Sequence, residues 1–429
     1  MKVKRILAVV LAAAMLFSLA SCSNWDKINS KKAYVYWLNF KPELDGILQE
    51  LAARYSKKKG ISVTVKTPES DYKSTLAEEL NSETPPTMFV LSGQDDVNRL
   101  SGHIAELGKT DISKLLNTED FNLFNENNSV VAIPYCQECF GIAVNPYYLE
   151  LAGHSVEEIK NFDSLKTVAE EIHGNASWLG FDAFAAVDIG GDSSWKYTAH
   201  LANVDYAYEM RRTYEWERTP ASLTGEYMDN YKKLYDLIVN NATAKASELT
   251  GGHDGLREFK DGKAAFYLAG SWEFASIAEK IPNAVMIPYY CGVDGEEKAG
   301  LCVGTENYWA INENISVESN KATVDFMVWL VSNKDASAAL VKELGPLPYT
   351  KAAKTSENTF LNNAKTYEEN GCYSLMWAFR FQPDSENYRA ALREALAAYN
   401  ADQSDKAWEQ VREAMIDGWM KGYISENEK

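Results

Sequence analysis

Basic residues are in short supply in this sequence: 43 Lys and Arg stand against 61 Asp and Glu, a formal charge of -18. Nucleic-acid binding needs a basic surface to neutralise phosphates, so nucleic acid is excluded as a partner. Histidine is scarce as well, with five scattered through 429 residues, and neither H-E-x-x-H nor G-x-S-x-G occurs. No phosphate-cradling Gly-rich loop follows a strand-like run. Zinc hydrolysis, serine nucleophilic catalysis and nucleotide chemistry therefore lack sequence support, and neither a metal nor a cofactor is expected. Cysteine is sparse too. Cys136 and Cys139 have C-x-x-C spacing, yet the second half of a zinc site is missing, and Pro134-Tyr135 before them reads as extended chain. Setting Cys22 aside, the remaining five form an odd set that cannot complete a disulfide framework. Cys291 and Cys302 flank a turn-rich segment and are placed to face each other across a hairpin.

No apolar run beyond residue 20 is long enough to span a bilayer. The one that exists is N-terminal: Lys2, Lys4 and Arg5 precede an apolar stretch over 6–20, which ends in Leu19-Ala20-Ser21-Cys22. Small residues before a cysteine at this point resemble the lipobox of bacterial lipoproteins. That resemblance implies cleavage after residue 21, lipidation of Cys22, a polar tether over 22–32 and attachment to the outer face of a membrane.

The roughly four hundred residues that follow suffice for two lobes. Residues 33–40 are β-rich, and Leu44, Ile47, Leu48, Leu51, Ala52 and Tyr55 mark one helix face between Pro42 and Gly60. Residues 61–66 alternate as a strand, 72–80 read as a helix and 87–91 as a short strand, so an α/β fold with a parallel sheet and helices on both of its faces is expected. Helices dominate from 163 onward, with apolar strands at 284–290 and 301–311. Near the C-terminus Trp408, Val411, Met415 and Trp419 form a stripe that reads as packing.

Several ordered segments carry a wider resemblance. They are Trp37-Leu38-Asn39-Phe40-Lys41-Pro42-Glu43, Pro85-Pro86-Thr87-Met88-Phe89, Ile133-Pro134-Tyr135, Gly141-Ile142-Ala143-Val144-Asn145, residues 259–266 with Gly270-Ser271-Trp272, and Gly300-Leu301-Cys302-Val303-Gly304 running to Trp309-Ala310-Ile311. In order and spacing the chain resembles family 1 of the extracellular solute-binding proteins, which includes maltodextrin-binding lipoproteins. The resemblance implies a two-lobed periplasmic-binding-protein-like fold (class II) with a hinge, each lobe discontinuous in sequence: 33–138 with 306–345, and 139–305 with 346–429. It also implies a non-enzymatic receptor, expected to be monomeric, that captures a small carbohydrate in the interlobe cleft and hands it to the permease subunits of an ABC importer. The same fold binding an amino acid, polyamine, peptide or polyol phosphate is the alternative, and a surface glycosidase with two cleft carboxylates is a further one.

A sugar offers flat C–H faces and a rim of hydroxyls, so aromatic platforms and planar polar groups are its natural partners. The resemblance puts Trp272 on the ligand, where the residues alone also allow an inter-helix core position. Glu273 either meets hydroxyls or sits in the first turn of the next helix, where the dipole favours a carboxylate. Asn39, Lys41 and Glu43 lie at the end of the first strand, and Asp95 beside Gln94 after the third; open α/β sheets bind ligands at that edge. Tyr135 and Glu138 fall at the first lobe crossing, where a buried carboxylate needs either a ligand or a hinge ion pair. Trp195, Asn307, and Trp377 with Arg380 complete the candidates, the last two on a looser match to the family's C-terminal aromatic platform.

Overall fold

The computed structural model describes residues 32–427 apart from 70, 192, 214–218 and 354–355. The leader and Cys22 lie outside the described residues. Twelve strands are described: β1 (Tyr34–Leu38), β2 (Ser62–Lys66), β3 (Met88–Leu91), β4 (Leu123–Phe124), β5 (Val130–Pro134), β6 (Glu138–Val144), β7 (Asp182–Phe184), β8 (Ala264–Gly270), β9 (Val285–Ile287), β10 (Ala299–Gly304), β11 (Tyr308–Ile311) and β12 (Tyr373–Met376). They form two six-stranded sheets, one ordered β2-β1-β3-β11-β5-β4 and the other β12-β10-β6-β8-β7, with β9 also paired to β6.

Strand β1 shows how the sequence builds the first sheet. Its aromatic and β-branched residues suit a pleated surface, and their two-residue alternation divides them between faces. Val35 and Trp37 join Leu48, Leu51 and Tyr55 of the helix Asp45–Lys59 and Phe326, Met327 and Leu330 of the helix Val317–Ser332. Leu38 packs on the other side with Leu76 and Leu80 of the helix Tyr72–Leu80. The helix Asp45–Lys59 stops at Gly60, whose φ of 70° is the left-handed turn that glycine adopts without a Cβ clash. Helices thus cover both faces, as the opening pattern predicts.

Two sequence expectations need correction. In the first sheet pairing is parallel only across β2-β1-β3, because β11 runs antiparallel to both β3 and β5. Residues 301–311 are not one strand either: the chain leaves the second sheet after Gly304 and enters the first at Tyr308, breaking at Thr305-Glu306-Asn307. The Cys291–Cys302 hairpin is absent for a related reason. Strand β9 pairs with β6 and β10 lies between β6 and β12, so all five described cysteines are free thiols.

After residue 345 the chain stays with the first sheet for a few more residues: Leu347, Tyr349 and Ala352 join its core, and Tyr349 Oη donates to Pro134 O at 2.6 Å. The Trp408 stripe is packed within the second lobe's cluster, and Trp419 Nε1 donates to Pro220 O at 2.7 Å. Among the described residues no helix is long and apolar enough to cross a membrane, and no group of three or more His, Cys, Asp or Glu side chains is arranged to hold a metal ion.

Candidate functional site

Two of the chain's crossings between the sheets, at 135–137 and 305–307, run side by side. Tyr135 N–H donates to Asn307 O at 3.1 Å, and Thr305 Oγ1 accepts from Asn307 N–H at 2.9 Å. Glu138, buried at the start of β6, accepts from Lys41 Nζ at 3.1 Å through one oxygen and from Asn307 Nδ2 at 2.9 Å through the other. Lys41 also reaches Glu43 at 3.4 Å. Burial, the largest single influence, would lower the Lys41 pKa, but Glu138, Cys136 and Glu43 together outweigh it and hold the ammonium above its ordinary range. Each crossing therefore carries a satisfied polar group at the cleft.

Facing this trio is an aromatic wall from the second sheet. Strand β8 ends at Gly270, and a tight turn over Ser271–Glu273 lifts Trp272 to 36% exposure. Glu273 turns inward and holds that turn. It accepts from Gly270 N–H at 2.9 Å, Tyr267 Oη at 2.8 Å and Lys196 Nζ at 2.7 Å. Lys196 also donates to Leu268 O at 3.0 Å and lies 4.5 Å from the Trp195 ring centroid. Its pKa is lowered by burial, against the opposing pull of Glu273. The Trp272 ring centroid is 5.8 Å from that of Trp195 and 6.2 Å from that of Trp377, the latter pair perpendicular. His200 stacks on Phe140 at 4.1 Å, and burial followed by the Lys196 charge keeps its pKa well below the usual value, so the ring is neutral at pH 7.

Between wall and crossings lies a chamber of about 580 Å³, into which the structure brings Lys41, Glu43, Glu138, Trp195, Trp272, Asn307 and Trp377. A second chamber of about 530 Å³ contains Asp95 and Arg380. The two share Phe40, Asp71, Tyr72, Glu306 and Arg389, so they are parts of one cleft. Asn39, Tyr135 and Glu273 line neither chamber. Asn39 is fully buried, its Nδ2 donating to Lys41 O at 2.6 Å to shape the turn after β1. Tyr135 stacks on Trp309 at 5.1 Å inside the first sheet's core. Glu273 bonds within the second lobe, to Gly270, Tyr267 and Lys196, and Glu138 is paired with Lys41 at the crossing. Arg380 donates from Nη2 to Asp120 O at 2.8 Å, joining the C-terminal segment to the first sheet's side of the cleft.

Sequence reasoning missed Phe40, Tyr72, His200, Glu306 and Arg389. Phe40 stands between two of the candidates, and an aromatic flanked by polar residues at a strand end is the signal the sequence offers; in the structure it is 47% exposed. His200 and Arg389 sit mid-helix with no local pattern to mark them. Arg389 donates from Nε to Gln382 Oε1 at 2.6 Å and pairs with Glu306 at 3.2 Å.

Comparison with known proteins agrees with this architecture. The family model for "Bacterial extracellular solute-binding protein" matches residues 50–370. A family 1 extracellular solute-binding protein from Bifidobacterium longum subsp. infantis has a similar structure, with a TM-score of 0.68 at 16% identity, covering 91% of this chain and 99% of that one. RafE from Streptococcus pneumoniae gives a TM-score of 0.70 at 15% identity, covering 92% and 100%. UgpB from Mycobacterium tuberculosis, solved with glycerophosphocholine, gives 0.65 at 17% identity, covering 92% and 100%. No curated protein sequence matches significantly. With three-quarters of its length matched to the family model and both sheets in the arrangement of these structures, the chain belongs to the bacterial extracellular solute-binding proteins.

Proposed function

We propose that this protein is the extracytoplasmic receptor of an ABC importer and that it captures a small saccharide, without turnover, in the cleft between its sheets. The observation that carries the proposal is the opposition of Trp272, exposed on its wall, to the Lys41–Glu138–Asn307 trio across a chamber of about 580 Å³. An aromatic face meets sugar C–H groups while the polar trio meets hydroxyls. RafE has also been solved with raffinose, and a chitin oligosaccharide binding protein shares the fold. The lobes are taken as 33–138 with 306–345, extended to about residue 353 by the packing of Tyr349 and Ala352, and the remainder. Closure about the two crossings would present a changed surface to the permease subunits. Cys22 is taken as the lipid attachment point, holding a monomer at the outer face of the membrane.

A solute carrying a phosphodiester is the second reading, suggested by UgpB and by Lys41, Arg380 and Arg389 at the cleft. Charge balance favours the neutral ligand. Lys41 is committed to Glu138 and Arg389 to Glu306, and Glu43, Glu69 and Asp71 line the same chamber. Melting curves against a panel of oligosaccharides, amino acids, polyamines and glycerophosphodiesters test this. A true ligand at a hundredfold excess over Kd raises stability by ~2.7 kcal/mol. A shift with a glycerophosphodiester or polyamine and with no saccharide would sink the carbohydrate proposal, and shortened oligosaccharide products would sink the non-enzymatic one. Trp272→Ala is expected to weaken saccharide binding by ~1 to 3 kcal/mol in calorimetric titration; unchanged affinity would remove Trp272 from the site.

A further inference from the structure

Both Trp272 and Trp377 rest on a glycine at the end of a strand, and in neither case does the backbone demand one. Gly270 has φ -98° and ψ 160°, an extended conformation open to any residue. Gly304 closes β10, and its φ lies outside the left-handed region. What excludes a side chain is the indole. A Cβ on Gly270 would fall inside contact distance of Cζ2, Cη2 and Cζ3 of Trp272, whose ring folds back onto the chain that bears it. A Cβ on Gly304 would lie 2.5 Å from Cγ, 2.6 Å from Cβ and 2.7 Å from Cδ2 of Trp377. Real carbon atoms do not approach so closely, so in each case the ring or the strand would have to move.

The direction of movement differs between the two. Trp377 is buried, with His200 and Phe379 packed against it, so a methyl on Gly304 would disturb the wall itself. Trp272 has open chamber on one side. Its backbone is pinned by the three donors that converge on Glu273 and by Asn358 Nδ2 donating to Ser271 O at 2.7 Å. With the turn fixed, the only path for a displaced Trp272 ring is outward into the cleft.

We propose that Gly270 is a positioning residue for binding: by lacking a side chain it lets the Trp272 ring lie back against the strand, and so sets how deep a sugar ring can enter. Gly304 does the same for Trp377. The proposal rests on the saccharide reading of the cleft. Gly270→Ala retains the Gly270 N–H bond to Glu273 and fits the observed backbone, so it perturbs the ring and little else.

The test uses the mature protein with raffinose, chitotriose and xylotriose as probes. Gly270→Ala is expected to weaken the tightest-binding probe about tenfold. Made in a Trp272→Ala background, the same change is expected to add nothing, because no ring remains to be displaced. Without any ligand, acrylamide quenching assigned to Trp272, by subtracting the matching Trp272→Phe protein, is expected to rise in Gly270→Ala. Equal weakening with and without Trp272, or unchanged quenching, would overturn the proposal. If none of the probes binds the unmodified protein, the quenching result alone decides the positioning role, and the carbohydrate reading fails separately.

Discussion

Replacing Glu138 by alanine isolates the ion pair at the lobe crossing. The side chains of Lys41 and Glu138 are 10% and 7% exposed, so neither charge is well hydrated, and their N–O distance is 3.1 Å. Removing the carboxylate leaves the ammonium with Glu43, which is 3.4 Å away and 56% exposed, and leaves Asn307 Nδ2 without its acceptor. Breaking a buried pair from one side costs about 3 to 5 kcal/mol, because the cost lies in the charge left behind. Removing both members by Lys41→Met with Glu138→Leu leaves no orphan charge and is expected to recover most of that loss. Lys41 is held above its ordinary 10.5, so the folded state binds its proton more tightly than the unfolded chain does. The pair's contribution is then fully present below pH 10.5 and fades only above it, so the deficit of Glu138→Ala should be equal at pH 6.5 and pH 8.5. Urea unfolding followed by tryptophan fluorescence measures each term. A loss under about 1 kcal/mol, or a double variant no more stable than the single one, would refute the reasoning.

Asp205 supplies a pH dependence of the same sign in a much lower range. Burial, then the neighbouring Glu209, pushes its pKa from 3.8 up to about 7, and its Oδ2 lacks a hydrogen-bond partner among the described residues. Between about pH 4 and 7 the folded state keeps a proton that the unfolded state releases, so stability falls by up to about 1.4 kcal/mol per pH unit as pH rises. Asp205→Asn is expected to flatten that slope in urea midpoints taken at pH 4.5, 6 and 7.5. Of the five described thiols, Cys136, Cys139, Cys291 and Cys302 are buried, and burial raises the pKa of each, that of Cys302 to about 12. A thiol reagent is therefore expected to label Cys372 rapidly in the native protein and the other four only after denaturation; fast labelling of more than one would contradict the packing. Cys22→Ser is expected to move the protein from the membrane fraction to the soluble fraction of the envelope, and no change would dismiss the lipid anchor.

Local patterns carried the fold as far as contacts stay local. The helix Tyr72–Leu80 sits where the sequence reading puts it, and the helix Asp45–Lys59 stops at the glycine that ends its pattern. The misreadings occur where tertiary structure decides. Residues 301–311 are apolar throughout except at Thr305-Glu306-Asn307, and nothing local says that a three-residue break moves the chain from one sheet to another. The helix Asn203–Thr213 was overlooked because its Asp205 and Glu209, which elsewhere signal an exposed face, are buried against the turn at Thr224 and Tyr227.

The site was legible in the same uneven way, and the unevenness bears on the ligand. Trp272 and the Lys41–Glu138–Asn307 group lie at strand ends, where the order of sheets places a cleft, so a linear reading reaches them. Arg389 and His200 arrive from helices far along the chain and are invisible to it. Arg380 is the one arginine among the candidates read from the sequence, so a shortage of bases there would by itself point to a neutral solute. The structure adds Arg389 and brings Lys41 into the chamber, which removes that premise. Yet each of these two cations faces a carboxylate, Glu306 or Glu138, at one of the lobe crossings, while Glu43, Glu69 and Asp71 line the same chamber. An anionic solute would have to displace an ion pair that holds the hinge, at the cost of a second charge left buried. A neutral saccharide would bond to both members of such a pair and leave it intact, so what supports the proposed neutral ligand is how the bases are paired and not how few there are.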